Sequence, residues 1–329
     1  MHDNHLGVPR RGLVTAASMA GIIGLSARDG LAAVTMPTTQ APYYYRFRLG
    51  DARATVVSDG PLPLGAPGNA FLGLSKEEID RQLTENFLPT NNIVLEQNIL
   101  VITINGKTAL FDTGMGSVRS FGPSTGRLMA TLKTAGINPA GVDAIILSHA
   151  HIDHCGGVMS ADGKRNFPNA QVYITQADYD YWTNEATVGP NLRSFYEQAR
   201  RNLTPNRDRI RFIRDQEEFL PGITALYATG HTVGHCVFMI HSAGKSLCYI
   251  GDLTHHPVLL MEKPRTEFAY DTDPKKSAES RVRMLDMLAA NRIPVLAYHF
   301  AWPGIGHVAK FGDGFRYLPA PMDMMTVKG

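Results

Sequence analysis

The sequence predicts an α/β or α+β fold with sheets inside and helices outside. Three observations carry this. Short apolar, β-branched runs recur between turn signals; stretches of helical pattern separate them; and several histidines and aspartates stand directly after such runs. The 329 residues, 44% hydrophobic and 19% charged, suit a globular chain and exclude a disordered or collagen-like one. A net charge of +2 gives no global reason to expect nucleic acid or an anionic membrane as partner. Three cysteines are too few for a disulfide framework.

Residues 9–33 read PRRGLVTAASMAGIIGLSARDGLAA. Arg10-Arg11 precedes an apolar run too short for a bilayer, and small residues end it near Ala32-Ala33. The segment resembles a twin-arginine export signal. The expectation is a signal over 1–33, a single domain over 34–329, and a periplasmic or secreted product.

Along the remaining chain, Tyr43–Leu49 and Ala52–Val57 form a hairpin around Gly50-Asp51. Ser75-Lys76-Glu77-Glu78 is a capping box that starts a helix. Ile99–Ile104 and Thr108–Asp112 flank Asn105-Gly106, a type I′ hairpin signal. A helix is expected from about Thr125 to Gly136, then a buried strand at Ala144–Leu147 and another at Gln171–Thr175. Helices follow near 176–183 and 190–202. Strands come at Ile223–Ala228, Cys236–His241 and Ser246–Ile250. Asp273-Pro274 caps a helix to about Ala290, and Val295–Tyr298 is read as the closing strand.

The strongest chemical signal is Ser148-His149-Ala150-His151-Ile152-Asp153-His154, directly after a buried strand. Imidazole and carboxylate suit zinc and related divalent ions. His231, Asp252 and His299 each follow a strand of their own, which adds three ligand candidates to the cluster.

With H-x-H-x-D-H at His149, His151, Asp153 and His154, followed by His231, Asp252 and His299, the chain resembles the metallo-β-lactamase superfamily. Phe111-Asp112-Thr113-Gly114 and the segment Thr229–His235 match as well. The resemblance implies an αββα sandwich with two divalent metal ions at one edge: zinc, or manganese, iron or cobalt. His149, His151 and His231 would hold the first ion, and Asp153, His154 and His299 the second. Asp252 would bridge them beside a hydroxide that attacks the substrate. Asp153 and Asp252 are thus the carboxylates closest to the chemistry, and Asp112 would fix a ligand histidine by hydrogen bond. Asp59, His235, Cys155 and Cys236 read as structural.

A bridging Asp252 is not the pattern of true β-lactamases. A narrower resemblance is to the methyl parathion hydrolase-like group, which includes lactonases and aryl esterases. It rests on Ser58-Asp59-Gly60, Phe121-Gly122-Pro123, Gly126-Arg127-Leu128, Phe167–Ala170 and Phe300–His307. It implies a pocket lined by Phe121, Trp182 and Phe195 or Tyr196, favouring aryl or acyl groups. Leu253-Thr254-His255-His256-Pro257 departs from the group, and puts His255 or His256 at the pocket or in the core. The expected activity is hydrolysis of an uncharged ester-like bond: lactone, aryl ester or phosphotriester. The expected partners are a small-molecule substrate and, by resemblance, a second copy in a homodimer. The rivals are a glyoxalase II-like thioesterase, a mononuclear-iron sulfur dioxygenase and a non-enzymatic metal-binding module.

Overall fold

The computed structural model describes residues 43–189 and 192–322. The twin-arginine segment lies outside them. Among the described residues no helix is long and apolar enough to cross a membrane.

Two seven-stranded sheets form the framework. The first runs, edge to edge, Tyr44–Leu49, Ala52–Ser58, Asn98–Ile104, Lys107–Phe111, Ala144–Ile146, Gln171–Thr175 and Ile210–Ile213. The second runs Glu218–Leu220, Ile223–Tyr227, Cys236–Ser242, Lys245–Tyr249, Val295–Leu296, Ile305–Phe311 and Gly314–Pro319. Alternation along Cys236–Ser242 shows why the sheets layer as they do. Cys236, Phe238 and Ile240 enter the core shared with Leu100, Ile102 and Phe111 of the first sheet. Val237 and Met239 point the other way, onto Met284, Leu285 and Leu288 of helix Pro274–Ala290. A strand buried on both faces must be apolar on both, as this one is.

Local chemistry sets the element boundaries. Asn105 and Gly106 both take positive φ, 48° and 74°, and join two strands in the expected tight turn. Ser75 and Glu78 complete their reciprocal cap at the start of Lys76–Glu85. Asp273 accepts from the Lys276 amide, with Pro274 in the first turn.

Two expectations need correction. The helix expected from Thr125 starts at Leu128, because the amides of Gly126 and Leu128 are bound to the Asp59 carboxylate instead of opening a helical turn. Val295–Leu296 does not close the fold, since the hairpin Ile305–Phe311 and Gly314–Pro319 pairs onto it and extends the sheet.

The strand order decides where the chemistry sits. Lys107–Phe111 and Ala144–Ile146 are parallel neighbours, as are Lys245–Tyr249 and Val295–Leu296. Parallel neighbours end at the same side of a sheet. Asp112 and the His149–His154 segment therefore leave one sheet together, and Asp252 and His299 leave the other together.

Candidate metal centre

His149 and His151 lie in the loop after Ala144–Ile146, and His151 immediately precedes a single helical turn, Ile152–Cys155. That turn brings Asp153 and His154 round towards the first two histidines. All seven expected ligands are buried.

Donor atoms of His149, His151, His231 and Asp252 lie within 4.8 Å of one another, and those of Asp153, His154 and His299 form a second such group. Asp252 stands between the groups. Its Oδ2 is 3.2 Å from His231 Nε2 and 3.7 Å from His149 Nε2. Its Oδ1 is 3.1 Å from His154 Nε2 and 3.3 Å from His299 Nε2. Asp153 Oδ2 is 3.5 Å from both His154 Nε2 and His299 Nε2. Two donors on one tetrahedral zinc, each about 2.1 Å from it, are about 3.4 Å apart. The spacing therefore fits bound cations.

Outer partners show which nitrogen of each ring faces inward. His154 Nδ1 donates to Asp112 Oδ2 at 2.9 Å, His231 Nδ1 to Asp271 Oδ1 at 2.8 Å, and His299 Nδ1 to the Glu96 carbonyl at 2.9 Å. His149 Nδ1 meets Ser148 Oγ at 3.0 Å, and that hydroxyl is itself bound to Asp112 Oδ2. With the protons on Nδ1, the Nε2 lone pairs point into the cluster. His149 Nε2 and His231 Nε2 face each other at 3.2 Å, an arrangement that a cation between them relieves.

The charges have consequences without metal too. Burial opposes the charge of Asp252, but His154, His299 and His255 outweigh it and hold the carboxyl well below its usual range. Burial likewise disfavours charge on His231, yet Asp252 and Asp271 raise it to about 9. His149 and His151 are driven well below the usual histidine value, first by burial and then by neighbouring imidazoles.

Several side chains outside the ligand set position these loops; of them the sequence marked only His235, as structural. Asp178 accepts from Ala150 N at 2.7 Å and Gly234 N at 2.8 Å, which ties the His149–His151 loop to the His231 loop. His235 Nε2 accepts from the Asp252 amide at 3.0 Å. The buried Arg281 donates to the carbonyls of Leu253, Pro264 and Thr266 and stands 3.6 Å from Asp271 Oδ2. These partners are 10 to 56 residues apart, with no local pattern to link them.

A pocket opens on the cluster. Leu62, Leu64, Leu95, Phe121, Phe195, Phe268 and Tyr270 form its apolar walls, and His151, Asp153, His231, Asp252, His255 and His299 its floor. Among the described residues, no lysine or arginine lines it. His255 does more than line it: Nε2 is 3.0 Å from Asp252 Oδ2, and burial holds the imidazole down to about 4, so it is neutral. His256 turns away into the core, where Nδ1 accepts from the amides of Val258 and Leu259. Trp182 differs from its expected place in the pocket wall. It is fully buried one layer back, edge-on to His151 at 4.8 Å and against Phe195 at 6.2 Å. Tyr196 is also buried, and its hydroxyl accepts from Arg200.

Residues 93–297 match the family model of the metallo-β-lactamase superfamily, and the chain belongs to that superfamily. It is similar to AidC, a dizinc quorum-quenching lactonase solved with a product: 28% identity, TM-score 0.80, covering 87% of this chain and 99% of that one. It is similar in the same degree to AbOPH, a hydrolase of the β-lactamase superfamily, at 27% identity and TM-score 0.80, covering 87% and 100%. An N-acyl homoserine lactonase of Bacillus cereus is 29% identical over 37% of this chain and 42% of its own length. An endoribonuclease YSH1 of Mycosarcoma maydis is 27% identical over 59% of this chain and 22% of its own length. The chain thus spans less than half the length of these two curated relatives. Fold and family together define a member of the metallo-β-lactamase superfamily whose His/Asp cluster could hold metal ions and whose structural neighbours include lactonases.

Proposed function

We propose that the protein is a dinuclear metal-dependent hydrolase acting on an uncharged ester-like bond with an apolar substituent: a lactone, aryl ester or phosphotriester. One observation carries the choice of substrate. The pocket above the metal cluster is walled by aromatic and leucine side chains, and among the described residues no lysine or arginine lines it to pair with a charged substituent. The similarity to AidC and to the Bacillus cereus lactonase supports the same class.

His149, His151 and His231 would hold one ion, Asp153, His154 and His299 the other, and Asp252 both. Ions held there supply a hydroxide nucleophile at neutral pH and a Lewis acid for the oxygen under attack. The chain does the rest. Asp112, Ser148, Asp271 and the Glu96 carbonyl keep four imidazoles in the tautomer that presents Nε2. Asp153, with 11% of its side chain exposed, meets the pocket floor. It is placed to take the nucleophile's proton and return it to the leaving oxygen. Phe121, Phe195, Phe268 and Tyr270 exclude water and orient the apolar substituent.

The test is one substrate panel on the zinc-loaded protein with an Asp252→Ala control. It holds an acyl-homoserine lactone, a p-nitrophenyl ester, methyl parathion, lactoylglutathione, a cephalosporin and a short RNA. Lactone or neutral-ester turnover well above the rest, and absent in the control, is the expected result. Turnover confined to lactoylglutathione, cephalosporin or RNA contradicts the substrate class.

A further inference from the structure

Asp59 is a fully buried carboxylate outside the metal cluster. Its Oδ2 accepts from Met115 N at 2.9 Å and Gly126 N at 2.9 Å, its Oδ1 from Leu128 N at 2.7 Å, and its own carbonyl from Arg127 N at 3.0 Å. One residue at the end of strand Ala52–Ser58 therefore fastens both ends of the loop from Met115 to Leu128. The space is shaped for it. Gly114 has φ 67°, and a Cβ there would stand 2.3 Å from Asp59 Cγ. Burial raises the Asp59 carboxyl to about 6, and the three amide bonds oppose that rise.

The loop has a fixed base and an apolar tip. At the base, Thr113 Oγ1 donates to the His154 carbonyl at 2.8 Å and accepts from Gly157 N at 3.1 Å, so the chain entering the loop is hydrogen-bonded to the ligand segment. Near the tip, Phe121 is half-buried, lines the pocket and packs on Tyr270 with ring centroids 6.3 Å apart. The pocket is narrow, about 30 Å³, and partly open to solvent. Phe121 thus forms part of the wall, and the loop that carries it is anchored at its base by the Asp59 carboxylate.

We propose that Asp59 is a positioning residue for the substrate pocket: it fixes the base of the Met115–Leu128 loop and so presents Phe121 as the wall against which the substrate's apolar part packs. The proposal rests on the pocket reading above. It also explains why Ser58-Asp59-Gly60 and the segment from Phe121 to Leu128 stand out in the sequence although neither touches the metal cluster.

The test compares wild type and Asp59→Asn as full chains loaded with zinc, on p-nitrophenyl acetate and p-nitrophenyl octanoate. An asparagine has one acceptor oxygen, so an NH2 group faces at least one loop amide. A loosened wall must be ordered at binding, which raises KM for the octanoate about five- to tenfold. KM for the acetate, kcat for both and zinc content stay within twofold. Phe121→Ala also raises KM for the octanoate, and adding Asp59→Asn to it has less than the multiplicative effect. Equal losses on both esters, loss of zinc, or multiplicative behaviour overturns the proposal. Amide hydrogen exchange on the wild type needs neither variant nor substrate. Met115, Gly126 and Leu128 should exchange at least about tenfold slower than Ser117, Ser120 and Phe121; equal rates overturn the clamp. If wild type cleaves neither ester nor a lactone, the functional reading fails, and the exchange rates still decide the clamp.

Discussion

Replacing Asp112 by asparagine tests whether the outer hydrogen bonds set the metal site. The carboxylate is wholly buried and accepts four bonds. Ser148 N reaches Oδ1 at 2.8 Å; Ser148 Oγ, His154 Nδ1 and Tyr249 OH reach Oδ2 at 2.8, 2.9 and 2.8 Å. With its oxygen turned to the Oδ2 side, asparagine keeps three of these and sets its NH2 against the Ser148 amide. The Ser148 N–H and the asparagine NH2 are then both buried and unsatisfied, at a cost of about 1–3 kcal/mol each, and the bond to His154 loses its ionic partner, about 1 kcal/mol more. The sum is about 3–7 kcal/mol in the stability of the metal-free protein. The backbone does not confuse the result, because φ of 61° at this position suits asparagine as well as aspartate. For the metal, Asp112 acts on His154 directly and on His149 through the Ser148 hydroxyl, so zinc affinity should fall about 10–100-fold. Chelator competition measures the affinity, and urea unfolding of the metal-free protein measures the stability. Zinc affinity within twofold of wild type would refute the reasoning.

Three further outcomes follow from the same geometry. Asp271→Asn removes the anion shared by His231 and the buried Arg281; urea unfolding should show a loss of about 3 kcal/mol, and chelator competition about tenfold weaker zinc binding. His256 is held to about 3 by burial, so the fold binds it neutral while the unfolded chain protonates near 6.5. Its contribution is complete above pH 6.5 and is lost as pH falls towards 3, by about 2.7 kcal/mol at pH 4.5; His256→Gln should flatten the acid limb of a stability–pH curve by that amount. Tyr249→Phe leaves three of the four bonds to Asp112, so zinc affinity should change by less than about fivefold in the same competition assay.

The ligands were legible because each follows a strand, and the strand ends that the sheets bring together are those carrying His149–His154, His231, Asp252 and His299. The hairpin at Asn105-Gly106 and the caps at Ser75 and Asp273 were legible because one or two side chains decide them locally. The pocket was less so. Phe268 and Tyr270 come from an irregular stretch around a two-residue strand, where no period marks a buried face. Trp182 closes helix Gln176–Thr183, and only tertiary packing puts it behind His151 and not beside the substrate. The helix start at Leu128 was misplaced because a carboxylate 69 residues earlier competes for its first amide. The final hairpin reads, in hindsight, as alternation through Ile305–Phe311 and a turn at Gly312-Asp313.

The proposed site holds two metal ions, with Asp252 serving both. The most direct measurement is zinc titration of the metal-free protein, following bound metal by native mass spectrometry and ester or lactone hydrolysis in the same samples. Two zinc ions per chain are expected, with activity that appears as the second site fills and a loss of the two-zinc species in Asp252→Ala. A single zinc per chain at full activity, or two zinc ions retained by Asp252→Ala, would contradict it.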